Sequence, residues 1–194
     1  MRKLLILLPA ILLMACSGNE KKTGKAGTEN TEYLLTMDGV GPVTVGMKQS
    51  DLEQLTGKKI PLTNPTDTVS GSWMDSATVQ YKDISLRLEF VRTYAYQNLD
   101  SFHMRVTAVY TESPLVRTPE GVRVGSGKQA IVDAYPDKYL IMHPGYDHET
   151  DTAFSKSLYM IRVRPEREGP EIVYFLRNNK VYGFEVTSYH DDEE

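Results

Sequence analysis

The chain has 194 residues, 22 lysines and arginines against 26 aspartates and glutamates, a net charge of −4 and a single cysteine. It encodes no clustered basic surface, which excludes nucleic acid as a partner, because neutralising phosphates takes grouped lysines and arginines. One cysteine leaves no intramolecular disulfide, so the folded body must be held by its core.

The first predicted element is a leader. Arg2 and Lys3 precede a short apolar run from Leu4 to Met14. A membrane-spanning helix needs about 20 residues, so the run predicts a cleaved secretory signal over residues 1–15. Its last residues, Leu13-Met14-Ala15-Cys16, resemble the lipobox of bacterial lipoproteins. That resemblance implies cleavage before Cys16, acylation of its thiol with lipid such as palmitate, and membrane anchoring through Cys16. Losing the leader removes two basic residues and no acid, taking the charge from −4 to −6.

Residues 16–32 follow as the lipidated cysteine and a tether. Ser17 to Glu32 contains no large apolar side chain, so it cannot bury enough surface to offset its ordering entropy. As a coil it spans roughly 20 to 25 Å. An acidic cluster behind the cysteine is associated with surface export in some bacterial lipoproteins. Here Ser17-Gly18-Asn19-Glu20-Lys21-Lys22 holds one acid and two lysines. This predicts an outer-membrane anchor facing the periplasm, with the cell surface as the alternative.

The body is predicted as two tandem similar units, residues 33–113 and 114–190, before a solvated acidic tail at 191–194. The reason is an internal repeat. Val43-Thr44-Val45-Gly46 with Leu52 and Leu55 is matched, at one constant offset, by Val122-Arg123-Val124-Gly125 with Ile131 and Ala134. Val106–Ser113 is matched by Val181–Ser188 at a slightly shorter offset. Each unit opens with a valine-alternating strand, turns at glycine and enters a short helix. Ser50 with Glu53, and Ser126 with Gln129, have capping-box spacing at positions that are not equivalent in the repeat. Pro136 stops the second helix after Tyr135.

Strands come after the helices. Ile84, Leu86, Leu88 and Phe90 alternate with polar residues, as do Met104, Val106, Ala108 and Tyr110, the period of a sheet with one buried face. Ser157–Arg164 is a further predicted strand. Ile172–Leu176 and Val181–Val186 form a hairpin across Arg177-Asn178-Asn179-Lys180, whose asparagines tolerate left-handed turn conformations. The pattern predicts an α+β fold: an antiparallel sheet with short helices in two tandem units. In that outline, residues 40–190 resemble the β-lactamase inhibitor protein architecture, and the Val-x-Val-Gly openings are similar to those of small outer-membrane assembly lipoproteins. The resemblance implies a protein-binding sheet surface.

Motifs that carry chemistry are sparse. Gly125-Ser126-Gly127-Lys128 lacks the first glycine of a phosphate loop, at Val122, and the hydroxyl residue after lysine, at Gln129; it is predicted to be a turn into a helix. His143, Asp147, His148 and Asp151 form a candidate metal-ligating group, with Pro144-Gly145 marking the segment as a loop. No Gly-x-Ser-x-Gly elbow occurs, and His103 between Phe102 and Met104 is expected at a strand edge. Neither an enzymatic activity nor a cofactor is expected. Twelve tyrosines against five phenylalanines suit an interface. Tyr94, Tyr96 and Phe102 in one predicted connection, and Tyr146 and Phe154 in the corresponding one, are the candidate binding surface. The expected function is a membrane-anchored envelope lipoprotein acting as a non-catalytic module that binds an envelope protein or cell-wall ligand. The alternatives are a metal-dependent envelope hydrolase built on the His143–Asp151 segment and an outer-membrane assembly or structural lipoprotein.

Overall fold

A computed structural model of the chain describes residues 31–61, 74–95, 98–148, 152–165 and 169–189, with backbone alone at 93–95, 98–102 and 189. A single turn of 3-10 helix, Thr31–Tyr33, leads into β1 (Leu35–Thr36), β2 (Gly39–Val40) and β3 (Val43–Thr44), a small antiparallel sheet. Then come α1 (Gln49–Thr56), β4 (Met74–Tyr81), β5 (Ile84–Ala95), β6 (Asn98–Thr111), α2 (Lys128–Ala134), β7 (Tyr139–Pro144), β8 (Leu158–Arg164), β9 (Gly169–Arg177) and β10 (Lys180–Tyr189). The last seven strands form one antiparallel sheet in the order β4-β5-β6-β10-β9-β8-β7.

The expected α+β class is therefore corrected to a β-rich fold. Among the described residues the α-helices are two, of 8 and 7 residues, each with one buried residue, Leu52 and Ile131. Helices this short form no layer of their own; they act as plugs on one face of the sheet. The strands, in contrast, reach 12 and 14 residues in β5 and β6, because the two pair with each other well past the stretches whose alternation signalled them.

The inner face carries the core. Ala77, Leu88, Val109, Val186, Ile172, Val163 and Leu140 stand opposite one another in register across all seven strands. Leu35, Val40, Val43, Leu52, Val116, Val122 and Ile131 join the same cluster as these sheet residues. Because β6 pairs with β10, the strands of both halves of the chain lie in one sheet. Tyr174, the largest fully buried side chain, is satisfied by the Tyr135 hydroxyl at 2.7 Å, which also reaches Glu120 at 3.0 Å. Burial pushes the Tyr135 phenol up to about 12.

The offsets seen in the sequence recur in the hydrogen bonding. Gly46 donates its amide to the Val106 carbonyl at 2.7 Å, and Val106 donates back to Met47; Gly125 donates to Val181 at 2.8 Å, and Val181 to Ser126. Both glycines sit at positive φ, 84° and 88°, where a side chain is strained. The capping boxes do not form. The caps are Lys48 and Gly127 without side-chain bonds. Instead, Glu53 accepts the Ile60 amide at 3.0 Å and Ser126 Oγ accepts the Arg123 amide at 3.0 Å.

Two irregularities matter for the other face. Between the pairs Glu89–Ala108 and Phe90–Val106 the β5–β6 register shifts, leaving Thr107 extra. Met104 and Val106 consequently face the core while Ala108 and Tyr110 face outward, correcting the single alternating face expected for these four residues. A second shift lies between Val181 and Gly183 in β10, next to the expected hairpin turn, where Asn178 and Asn179 have φ of 51° and 63°.

Candidate functional site

The outer face of the seven-stranded sheet carries an ordered row of its own: Thr78, Arg87, Tyr110, Glu185, Val173, Arg162 and Ile141 stand opposite one another across the strands. The shift at Thr107 brings Tyr110 onto this face. The shift in β10 places Tyr182 against Phe175, with ring centroids 6.1 Å apart. Gly183 completes the arrangement, since a Cβ there would stand 2.9 Å from Tyr110 Oη and 3.2 Å from its ring. Only a glycine lets the Tyr110 ring lie over β10 in this position.

The result is a ladder of rings flanked by cations. Arg87 Cζ lies 4.3 Å from the Tyr110 centroid, and Tyr110 meets Phe175 edge-on at 5.5 Å. Beyond Phe175, Tyr182 carries the guanidinium of Arg177 at 5.0 Å. Each contact falls within the range of favourable cation–π or aromatic packing. Among the described residues neither Arg87 nor Arg177 forms an ion pair. A guanidinium stacked on a ring keeps its N–H edge available for a carboxylate. A shallow depression of about 210 Å³ opens beside Arg87 and Tyr110, bordered by Thr78, Ser85 and Glu112.

Acidic groups are set among these residues. Tyr110 donates its hydroxyl to Glu112, and burial, then this carboxylate, raises the phenol far above its ordinary range. Burial also raises the Glu185 carboxyl, and the negative charge of Glu89 adds to the rise. Glu171 is fully buried, held by Arg162 Nη1 and, at 2.6 Å, by Arg164 Nε. These pairs fix the long side chains beside the ladder.

The residues singled out in the sequence are dispersed. Tyr94 and Phe102 stand opposite each other in the β5–β6 ladder, so this segment is strand where a connection was expected; Tyr96 lies outside the described residues. Tyr146 and Phe154 do come together, exposed, with ring centroids 5.1 Å apart. Their loop is organised by Ser155, whose hydroxyl donates to Asp147 at 2.6 Å and accepts the Ser157 and Leu158 amides. β10 and β9 separate the strands that lead to the two aromatic pairs.

His143 is in β7 opposite Met160, correcting the expectation that its segment is a loop throughout. The continuous apolar run Tyr139–Met142 pairs with β8, and the ladder continues through His143 and Pro144. Asp147 and His148 are exposed in the loop that follows. Asp151 and Cys16 lie outside the described residues. Among the described residues no three of His, Cys, Asp and Glu are placed to hold a metal ion, and no helix is long and apolar enough to cross a membrane.

Arg87, Tyr110, Phe175, Tyr182 and Arg177 were not singled out by sequence reasoning. The available signal was Gly183, a glycine inside the strand pattern Val181–Val186, which marks a bulge or a close approach. No family model matches the chain, and no curated protein or solved structure matches it significantly.

Proposed function

We propose that this chain is a lipid-anchored envelope protein, held at the periplasmic face of the outer membrane through Cys16, that binds another protein non-covalently through the outer face of its sheet. The observation that carries the reading is the stacking of Arg87 on Tyr110 and Arg177 on Tyr182 at the two ends of one aromatic run. Tyrosine and arginine dominate the energetics of protein interfaces. Rings already packed on one another lose little freedom on binding, which lowers the entropic cost of association. The tether behind Cys16 raises the local concentration of this surface around its neighbours in the envelope.

Two experiments test the reading. Hot-spot truncations cost about 2 kcal/mol, so Arg87→Ala with Arg177→Ala should cut recovery of cross-linked envelope partners at least tenfold, with Tyr146→Ala and Phe154→Ala having little effect; the reverse order contradicts the assigned face. For the anchor, labelled palmitate should enter the parent chain and be absent from Cys16→Ser. Label retained in that variant rules the anchor out.

A further inference from the structure

The geometry points to a second docking site, at the margin between α2 and β7: an extended segment of a partner protein adds to β7 as a further strand and places a carboxylate on Lys128. This goes beyond the outer-face reading and does not depend on it.

The edge itself defines the chemistry. β7 is an end strand of the sheet, and Tyr139-Leu140-Ile141-Met142-His143-Pro144 contains no Asp, Glu, Lys or Arg. It pairs with β8 over its whole length without a register shift. Proteins blunt such edges with charge, proline, bulges or covering segments, because unpaired backbone groups recruit another strand; the one proline of β7, Pro144, is its last residue, which leaves the five before it without such a device. The opposite end strand is treated differently. β4 contains Asp75, and residues 58–61 of the chain run beside it, sharing a groove with Thr78, Val79 and Gln80.

The helix beside this edge adds selectivity. Lys128 Nζ rests 3.5 Å from Met142 Sδ, and Met142 is 48 % exposed. One turn further along α2, Val132 is exposed as well, on the helix face that Lys128 occupies. Among the described residues Lys128 has no ion pair; its contacts are the thioether, a weak acceptor, and the Tyr159 ring at 5.8 Å. An ammonium held against apolar surface without a counter-charge complements a single carboxylate. Even with Lys180 Nζ 4.0 Å from where a Cβ of Gly127 would stand, Lys128 does not suit a phosphate-rich polymer, which needs a larger cluster of cations. Strand addition supplies backbone hydrogen bonds, and the Met142–Val132 surface receives an apolar side chain of the incoming segment.

The test uses the full-length chain. A phage-displayed library of short random peptides is selected on it, and the best peptide is labelled and titrated by fluorescence anisotropy. Selected peptides should contain Asp or Glu. Changing that acid to its amide should weaken binding at least tenfold, and Lys128→Gln should weaken the acidic peptide equally while leaving the amide peptide unaffected. Amide exchange should slow in β7 on binding, and Arg87→Ala with Arg177→Ala should leave affinity unchanged. The proposal is overturned if no peptide is selected, if selected peptides lack an acid, if Lys128→Gln weakens both peptides alike, if β7 exchange is unchanged, or if the double arginine variant abolishes binding. Lys128→Glu paired with an acid-to-lysine peptide checks for a folding defect: restored affinity supports the contact, and no restoration counts against it.

Discussion

Tyr110 lies directly over Gly183, 2.9 Å from where a Cβ would be. This closeness connects two bulges, one in β6 and one in β10, to a single row of rings. Gly183→Ala should leave the fold standing, because the conflict is with the movable end of a tyrosine and the φ there is not left-handed. We expect a stability change within about 1 kcal/mol, the span of strand propensities, together with displacement of Tyr110 and loss of partner binding. Urea denaturation and a binding assay on the same variant separate the two effects.

Gly46 and Gly125 make a matched pair. Neither has a neighbour within 4 Å of a built Cβ, so alanine at either position is opposed by left-handed backbone strain alone. Each substitution should cost about 1–2 kcal/mol, and similarly at both sites. Because β6 and β10 pair in one sheet, each should shift one cooperative unfolding transition. A separate transition for one half would contradict this.

These two glycines also mark how far the sequence could be read. The repeat that relates them, the Asn178-Asn179 turn and the inward run from Ile84 to Phe90 are visible as local pattern, since each depends on neighbours in the chain. The outward turn of Tyr110 is not, because it depends on one extra residue at Thr107 relative to a partner strand. The same holds for Ser50, Glu53, Ser126 and Gln129. Their spacing suits caps, yet Glu53 has a stronger use in holding Ile60 and Lys59. For a related reason the fold is β-rich where an α+β class is expected. Short helices announce themselves by flanking glycines and prolines, whereas the long β5–β6 pairing is decided by tertiary context. Arg87 and Arg177 are far apart in the chain and are joined into one surface by the β5–β6, β6–β10 and β9–β10 pairings.

Glu171 is fully buried between Arg162 and Arg164. Glu171→Ala removes the buried carboxylate that holds both Arg162 and Arg164, and breaking a buried ion pair costs about 3–5 kcal/mol. We expect a loss near the lower bound, because Arg162 is partly exposed. Thermal and urea denaturation measure it.

Glu185 sets a pH dependence. Its carboxyl is raised above the ordinary Glu value of 4.5, first by burial and then by Glu89. Between the unfolded value and the raised folded value the native state binds more protons than the unfolded state. By linkage this contribution is present at low pH and is lost as pH rises through that window. Glu185→Gln removes it, so the variant should melt higher than the parent at pH 7 and converge with it towards pH 4. Parallel melting curves across that range would contradict the assignment.

The central claim is that the partner is held on the outer face through the ladder. A photo-crosslinking residue placed in intact cells at position 182, and for comparison at position 154 in the β7–β8 loop, tests it most directly. The account predicts a discrete protein adduct from position 182 that disappears when Arg87→Ala and Arg177→Ala are added, and none of the same size from position 154. An adduct from position 154 alone, or one from position 182 that survives loss of both arginines, would contradict it.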